Sequence, residues 1–227
     1  MSDVFAPVET VRLAVSGGGQ FPVHQIFCVG RNYADHAVEM GHDPTREAPF
    51  FFLKPDWSIL PDQGEMQYPG LSQDVHHEVE LVVALQGGGE NIPVDQAESL
   101  IFGYGVGIDM TRRDLQAEAK DKSRPWDAGK SFRHAAPCSD ITPVSQTGIL
   151  NQGEIILRVN GDIRQQGDLN QMIWKVPEVI SRLSELFPLY PGDLIFTGTP
   201  AGVGPIEKGD VLEAEVQGLL KLQVTVV

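Results

Sequence analysis

The chain is short of positive charge, of cysteine and of long apolar runs, and each shortage closes off a class of function. Seventeen Lys and Arg stand against 31 Asp and Glu, a formal net charge of −14. Binding to phosphate backbones needs a basic face, so nucleic acid is excluded as a partner. The two cysteines, Cys28 and Cys138, are too few for a CxxC metal knuckle or a disulfide framework. Their apolar or Pro-flanked contexts read as buried free thiols. No stretch reaches the roughly 18 apolar residues that span a bilayer. The start MSDVFAPVETVRL has neither the basic opening nor the apolar run of a secretory signal. The expectation is a cytoplasmic protein with no membrane partner.

A length of 227 residues gives room for one large domain, and no repeat or linker divides it, so residues 1–227 read as a single domain with an N-terminal strand and loop over 1–24. The 24 Gly and 16 Pro predict many turns and many short strands. Strand-like runs fall at 11–15, 23–29, 78–85, 101–109, 154–160, 193–198, 211–216 and 220–227. Asn160-Gly161 and Gly218 mark hairpin turns. Gly17–Gly19 and Gly87–Gly89 look like loop tips. Helices are fewer. One is short, Tyr33–Met40; a second starts at Arg112 with Thr111 as its cap; Pro177 opens a third, with Val179, Ile180, Leu183 and Phe187 at helical spacing. Many strands without regular alternation with helices indicate a β-rich α+β fold.

Seven of the basic residues fall between Arg112 and Arg133, against four acids there. Lys120, Lys122 and Arg124 read as a solvated helix face, while part of the cluster could meet an anionic ligand. Trp57, Trp126 and Trp174 read as packing residues. His24, His42, His76 and His134 receive no catalytic assignment.

HHEVELVV, residues 76–83, is the most informative segment. Alternate side chains of a strand share a face, so Glu78 and Glu80 point one way and Val79 and Leu81 the other. Paired carboxylates repel, and a cation resolves the repulsion. Asp109, ending the apolar run IFGYGVGID, offers a third ligand. Three carboxylates favour Mg²⁺, Mn²⁺ or Ca²⁺ over Zn²⁺. Alone, such a pair is usually the wet face of an antiparallel sheet.

Its company gives it meaning. CVGRNYADHAVEM (28–40), FFLKP (51–55), HHEVELVV, GYGVGIDMTRRDLQ (103–116), GKSFRHAAP (129–137) and TGTPAGVGP (197–205) occur in this order. Together they resemble the fumarylacetoacetate hydrolase family, in particular its short acylpyruvate-hydrolysing members, from about Gln25 to the C-terminus. The resemblance implies a mixed β-sandwich roll, usually a homodimer, in which Glu78, Glu80 and Asp109 ligate Mg²⁺ or Mn²⁺, with Ca²⁺ able to replace them in vitro. The vacant coordination positions would take the carboxylate and 2-oxo oxygens of the substrate. It also implies hydrolysis of a carbon–carbon bond in a 2,4-dioxo acid. Close overall similarity to enzymes of gentisate-type aromatic catabolism points to fumarylpyruvate, giving fumarate and pyruvate.

Such chemistry needs an activated water, a stabilised oxyanion and an electron sink, the last supplied by a divalent cation. His36 and Glu39, spaced i, i+3, can share one helix face, and in the family the matching dyad activates water. Residues 33–50 are expected to form a lid over the substrate. Lys130 is the candidate to meet the oxyanion. Its GKS is not a phosphate loop, because the glycine required five residues before Gly129 is replaced by Arg124. By resemblance, Arg113 and Gln116 line the pocket. Thr199, in the Gly-rich turn, would offer its hydroxyl and backbone N–H to the substrate carboxylate, and Lys54 and Arg31 are open to a place at the edge of the site or to a structural role. Two other readings stay open: an oxaloacetate tautomerase or decarboxylase using the same pocket, and a non-catalytic calcium-binding β module.

Overall fold

The computed structural model describes residues 3–34 and 47–227. Its frame is an eight-stranded mixed sheet beside a five-stranded one. Along the large sheet run Phe50–Lys54, Ile26–Gly30, Leu194–Phe196, Val79–Leu85, Ile101–Ile108, Ala136–Cys138 and Ile59–Pro61, with Thr142–Pro143 paired to Ile101–Ile108. Leu194–Phe196 is parallel to Ile26–Gly30 but antiparallel to Val79–Leu85. The smaller sheet orders Asp162–Asp168, Glu154–Val159, Val211–Val216, Leu222–Val226 and Gly64–Met66.

Strand Val79–Leu85 is buried at every position because both of its faces are covered. Val79, Leu81, Val83 and Leu85 pack in a core shared with Ile155, Leu157, Leu212 and Val224 of the smaller sheet. Val82 and Ala84 face a second core with Cys28, Cys138 and Phe196. Ile101–Ile108 presents Gly103, Gly105 and Gly107 at alternate positions. A Cβ on Gly107 would stand 2.5 Å from the Phe196 ring and 2.6 Å from Val82, so the bare backbone lets the second core close over the sheet.

The N-terminal region is a hairpin of Arg12–Ala14 with Gln20–Pro22, and Gly17–Gly19 form its tip with positive φ. The Asn160-Gly161 hairpin forms as expected, both residues taking positive φ. Helix Val176–Leu186 buries Val179, Ile180 and Leu183 and carries a proline in its first turn. The helix expected from Arg112 instead spans Arg113–Asp121, and Thr111 does not cap it. Thr111 is engaged in the site, which removes it from capping. Most of the expected helix over Tyr33–Met40 and of the 33–50 lid lies outside the described residues; Phe50, at its end, already belongs to a strand. No helix among the described residues is long and apolar enough to cross a membrane.

Candidate metal centre and substrate cleft

The three acids meet at one end of the antiparallel pair Val79–Leu85 and Ile101–Ile108. Glu80 stands opposite Gly107, and Asp109 N–H donates to the Glu78 carbonyl at 2.8 Å. Alternation along both strands therefore sends all three side chains to the same face. Carboxylate oxygens of Glu78, Glu80 and Asp109 lie within 4.8 Å of one another, and all three residues are buried, at 5%, 2% and 1% exposure. A wet sheet face is thereby excluded.

Cations surround two of the acids. Lys130 Nζ donates to Glu78 Oε2 and Asp109 Oδ2, each at 2.7 Å, and to Thr111 Oγ1 at 2.6 Å, which accounts for its three hydrogens. Arg113 Nη2 donates to Glu78 Oε1 at 2.5 Å, and its Nη1 to Gln116 Oε1 at 2.7 Å. Lys54 Nζ lies 2.8 Å from Asp109 Oδ1 and donates to the main-chain oxygens of Met110 and Lys130. Burial works against the Lys130 charge, yet Asp109 and Glu78 outweigh it and hold the ammonium above its ordinary pKa.

Glu80 is the acid with the weakest protein compensation. Its Oε2 accepts from Gly198 N–H at 2.7 Å. Burial, then the Asp109 and Glu78 carboxylates, push its pKa well above the usual range, against the pull of Gly198 and Lys130. Gly198 can approach because it has φ +97 and no Cβ; a Cβ would sit 2.6 Å from Asn32 Cβ. Asp109 Oδ1 is buried and paired by charge to Lys54, but has no partner in hydrogen-bond geometry among the described residues. An all-oxygen donor set, one under-compensated carboxylate and one orphaned oxygen fit a hard divalent cation.

The acids floor a cleft of about 430 Å³, its solvent mouth included, within the range of small-molecule sites. One wall is aromatic: Phe50, Phe52 and Trp126, the last 5.4 and 5.8 Å from the two Phe ring centres. Arg31, Arg113, Lys120 and Lys130 line it, as do Gln116 and Thr199. Among the described residues, four cations against three carboxylates mean that a divalent ion would leave a positive excess there, in a protein whose formal net charge is −14.

Several expectations change here. Of the two readings of Lys54 the structural one holds: it is completely buried behind Asp109 and braces that carboxylate, away from the edge of the cleft. Lys120 is not a solvated surface lysine; it lines the cleft with its Nζ 5.0 Å from the Trp126 ring. Trp126 is a wall residue, and Trp57 is more than half exposed, so neither is simple core packing. Arg112 stacks 4.5 Å over Phe132 and donates to Ala128 O, a structural placement. Cys28 and Cys138 are buried free thiols as expected. His36 and Glu39 lie outside the described residues.

No reading of the sequence placed Phe50, Phe52, Trp126, Thr111 or Lys120 in the site. Three of these had a readable signal. Phe50 and Phe52 alternate on one strand face, and Lys120 follows Arg113 and Gln116 at i+7 and i+4 on one helix face.

Residues 25–227 match the family model "Fumarylacetoacetate (FAA) hydrolase C-terminal". The chain belongs to the fumarylacetoacetate hydrolase family. The crystal structure of fumarylpyruvate hydrolase from Pseudomonas aeruginosa, in complex with Mn²⁺ and pyruvate, superposes with a TM-score of 0.97 at 47% identity, covering 100% of this chain and 99% of that one. Fumarylpyruvate hydrolase of a Ralstonia species is 42% identical over 81% of this chain and 95% of its own length. A mitochondrial oxaloacetate tautomerase of Mus musculus is also 42% identical, over 87% of this chain and 89% of its own. The strand-rich α+β architecture is that of these family structures.

Proposed function

We propose that this chain is a metal-dependent hydrolase of carbon–carbon bonds in acylpyruvates, acting on fumarylpyruvate to give fumarate and pyruvate. The observation that carries the proposal is the buried triad of Glu78, Glu80 and Asp109 at the floor of a cation-lined cleft. The similarity to an enzyme crystallised with Mn²⁺ and pyruvate supports it. Glu78, Glu80 and Asp109 would hold Mg²⁺ or Mn²⁺. A divalent cation there supplies Lewis acidity and charge for the negative charge that develops on the substrate's oxo oxygens.

The chain's own residues do the remainder. Thr199 and Arg113 are assigned to the pyruvoyl end, with Gln116 holding the Arg113 fork. Lys120 and Arg31, on the cleft wall, are assigned to the distal carboxylate of fumarylpyruvate. By the family resemblance, His36 with Glu39 is assigned to take a proton from water, which adds to the acyl carbonyl. The bond from that carbon to the methylene breaks, its electron pair moves toward the 2-oxo group, and the methylene carbon takes up a proton. Lys130 serves the developing oxyanion by giving up one of its three bonds. A cytoplasmic homodimer in aromatic catabolism belongs to the same proposal, carried by the family resemblance.

The second reading, an oxaloacetate tautomerase or decarboxylase, is favoured by the likeness to the mouse tautomerase. Rates with fumarylpyruvate, acetylpyruvate and oxaloacetate, each with Mg²⁺ and with Mn²⁺, separate the two. Fumarylpyruvate hydrolysis should lead, and His36→Ala should abolish it while leaving metal affinity intact. Faster turnover of oxaloacetate than of either acylpyruvate would replace the first reading with the second. The cation-rich cleft leaves a non-catalytic calcium module without support.

A further inference from the structure

Asp162–Asp168 is the outer strand of the five-stranded sheet, and one of its residues, Gln165, is fully buried. The register against Glu154–Val159 shifts at this point. Leu157 pairs with Gln165 and Arg158 with Ile163, leaving Arg164 as an extra residue, a bulge of the kind that re-aims a side chain. A buried carboxamide needs partners for its oxygen and both its hydrogens. Gln165 Oε1 accepts from Val79 N–H at 3.0 Å and lies 2.9 Å from His77 Nδ1. Its Nε2 donates to the Pro200 carbonyl at 2.9 Å and to Thr199 Oγ1 at 2.8 Å.

The two ends of a carboxamide are normally hard to tell apart. Two main-chain groups decide the matter here. Val79 N–H can only donate, and the Pro200 carbonyl can only accept. The amide oxygen therefore faces Val79, and the nitrogen faces Pro200. It follows that His77 must donate from Nδ1, so the neutral ring carries its hydrogen there. The second hydrogen of Nε2 goes to Thr199 Oγ1. Thr199 is thus an acceptor toward the protein interior, and its own hydroxyl hydrogen is left for the cleft that it lines.

We propose that Gln165 is a positioning residue that locks Thr199 as a hydrogen-bond donor, so that this wall of the cleft selects an acceptor oxygen of the ligand. That the acceptor is a carboxylate or oxo oxygen of a pyruvoyl compound rests on the function proposed above; the orientation of the relay does not. Glutamine is required over its isosteric acid. A carboxylate at this position would oppose the Pro200 carbonyl and draw the Thr199 hydrogen inward.

Two measurements test this. Nitrogen-15 NMR of the metal-free protein reads the His77 tautomer, expected as Nδ1–H; an Nε2–H ring would overturn the relay. Calorimetric titration of the Mn²⁺-loaded protein with pyruvate reads the cleft. Thr199→Val and Gln165→Glu should each weaken pyruvate by about tenfold or more, as for a lost hydrogen bond to a charged group. Thr199→Ser should recover most of that loss, and Mn²⁺ affinity should hold throughout. A folded Gln165→Glu protein that binds pyruvate as tightly as the wild type would overturn the proposal. If that variant does not fold, the wild-type tautomer and the Thr199 pair still decide it. A wild-type protein that ignores pyruvate would overturn the substrate class and the cleft half of this proposal together, while the tautomer still reports the amide's orientation.

Discussion

Strands Val79–Leu85 and Asp162–Asp168 hold their important polar groups in opposite surroundings. Every residue of the first is buried, so the acids beside and within it, Glu78 and Glu80, are the anomaly. In the second, the neighbours are exposed or half-buried, and the anomaly is that a polar residue turns inward. Both burials would be costly without partners. The first is resolved by cations, from Lys130, Arg113 and the metal proposed above; the second is resolved by a closed set of hydrogen bonds. A charge in an apolar run announces itself in the sequence. A glutamine among Asp, Arg and Gln does not.

The comparison can be broken most forcefully at Glu78. Glu78→Ala should remove Mn²⁺ binding, read by calorimetry, and lower turnover by more than about a hundredfold, since loss even of groups supporting a ligand costs roughly 10–100-fold. Full Mn²⁺ affinity in that variant would sink the metal centre. Lys54→Met should come next, because breaking a buried ion pair leaves an uncompensated charge costing about 3–5 kcal/mol. Denaturant unfolding of the metal-free protein reads it; a loss below about 1 kcal/mol would mean that Lys54 does not brace Asp109.

Lys120→Ala sharpens the comparison on the cleft wall. KM for fumarylpyruvate should rise by about tenfold, the order of one charge-assisted hydrogen bond, with little change for acetylpyruvate, which has no distal carboxylate. Equal effects on both would remove Lys120 from substrate discrimination. Asp114 ties the 72–74 loop to the start of its helix. Partial burial pushes its carboxyl up, but bonds from the Ser72 hydroxyl and the Gln73 and Leu115 N–H groups outweigh this and hold it below its ordinary value. Its stabilisation is therefore present above the ordinary carboxyl pKa and fades as pH falls through the lowered one. Asp114→Asn should cost about 1 kcal/mol at neutral pH, and the difference from wild type should shrink in acid. The smallest effect is expected at Arg164, exposed beside Gln165: Arg164→Ala should change stability by no more than about 0.5 kcal/mol. A large loss there would mean that the bulge, rather than the amide network, holds the turn.

Much of the frame could be read along the chain. The strands near 79–85, 101–108 and 211–216, the Asn160-Gly161 turn and the Pro177 helix all follow from local periodicity and turn chemistry. Thr111 shows where such reading fails. Its hydroxyl suits a helix cap, yet it accepts from Lys130 and donates to Asp109 O, because a buried ammonium with three hydrogens competes for it. Lys54 stays open between the edge of the site and a structural role for a related reason. Nothing local marks whether its long stem ends behind a buried carboxylate or in water, whereas Lys120 shares a helix face with Arg113 and Gln116.

By itself the sequence determined that Glu78, Glu80 and Asp109 could share one face, since strand alternation is a local property. It also determined the family, through six motifs in fixed order. Only the tertiary structure decided that the three acids are buried within 4.8 Å of one another, with Lys130 bonded to two of them. Only the tertiary structure brought Gln165 from an outer strand to set the polarity of Thr199. The distinction is physical: periodicity fixes which way a side chain leaves its own strand, whereas its partners come from segments tens of residues away, and their contacts decide whether a charge or an amide is tolerated inside.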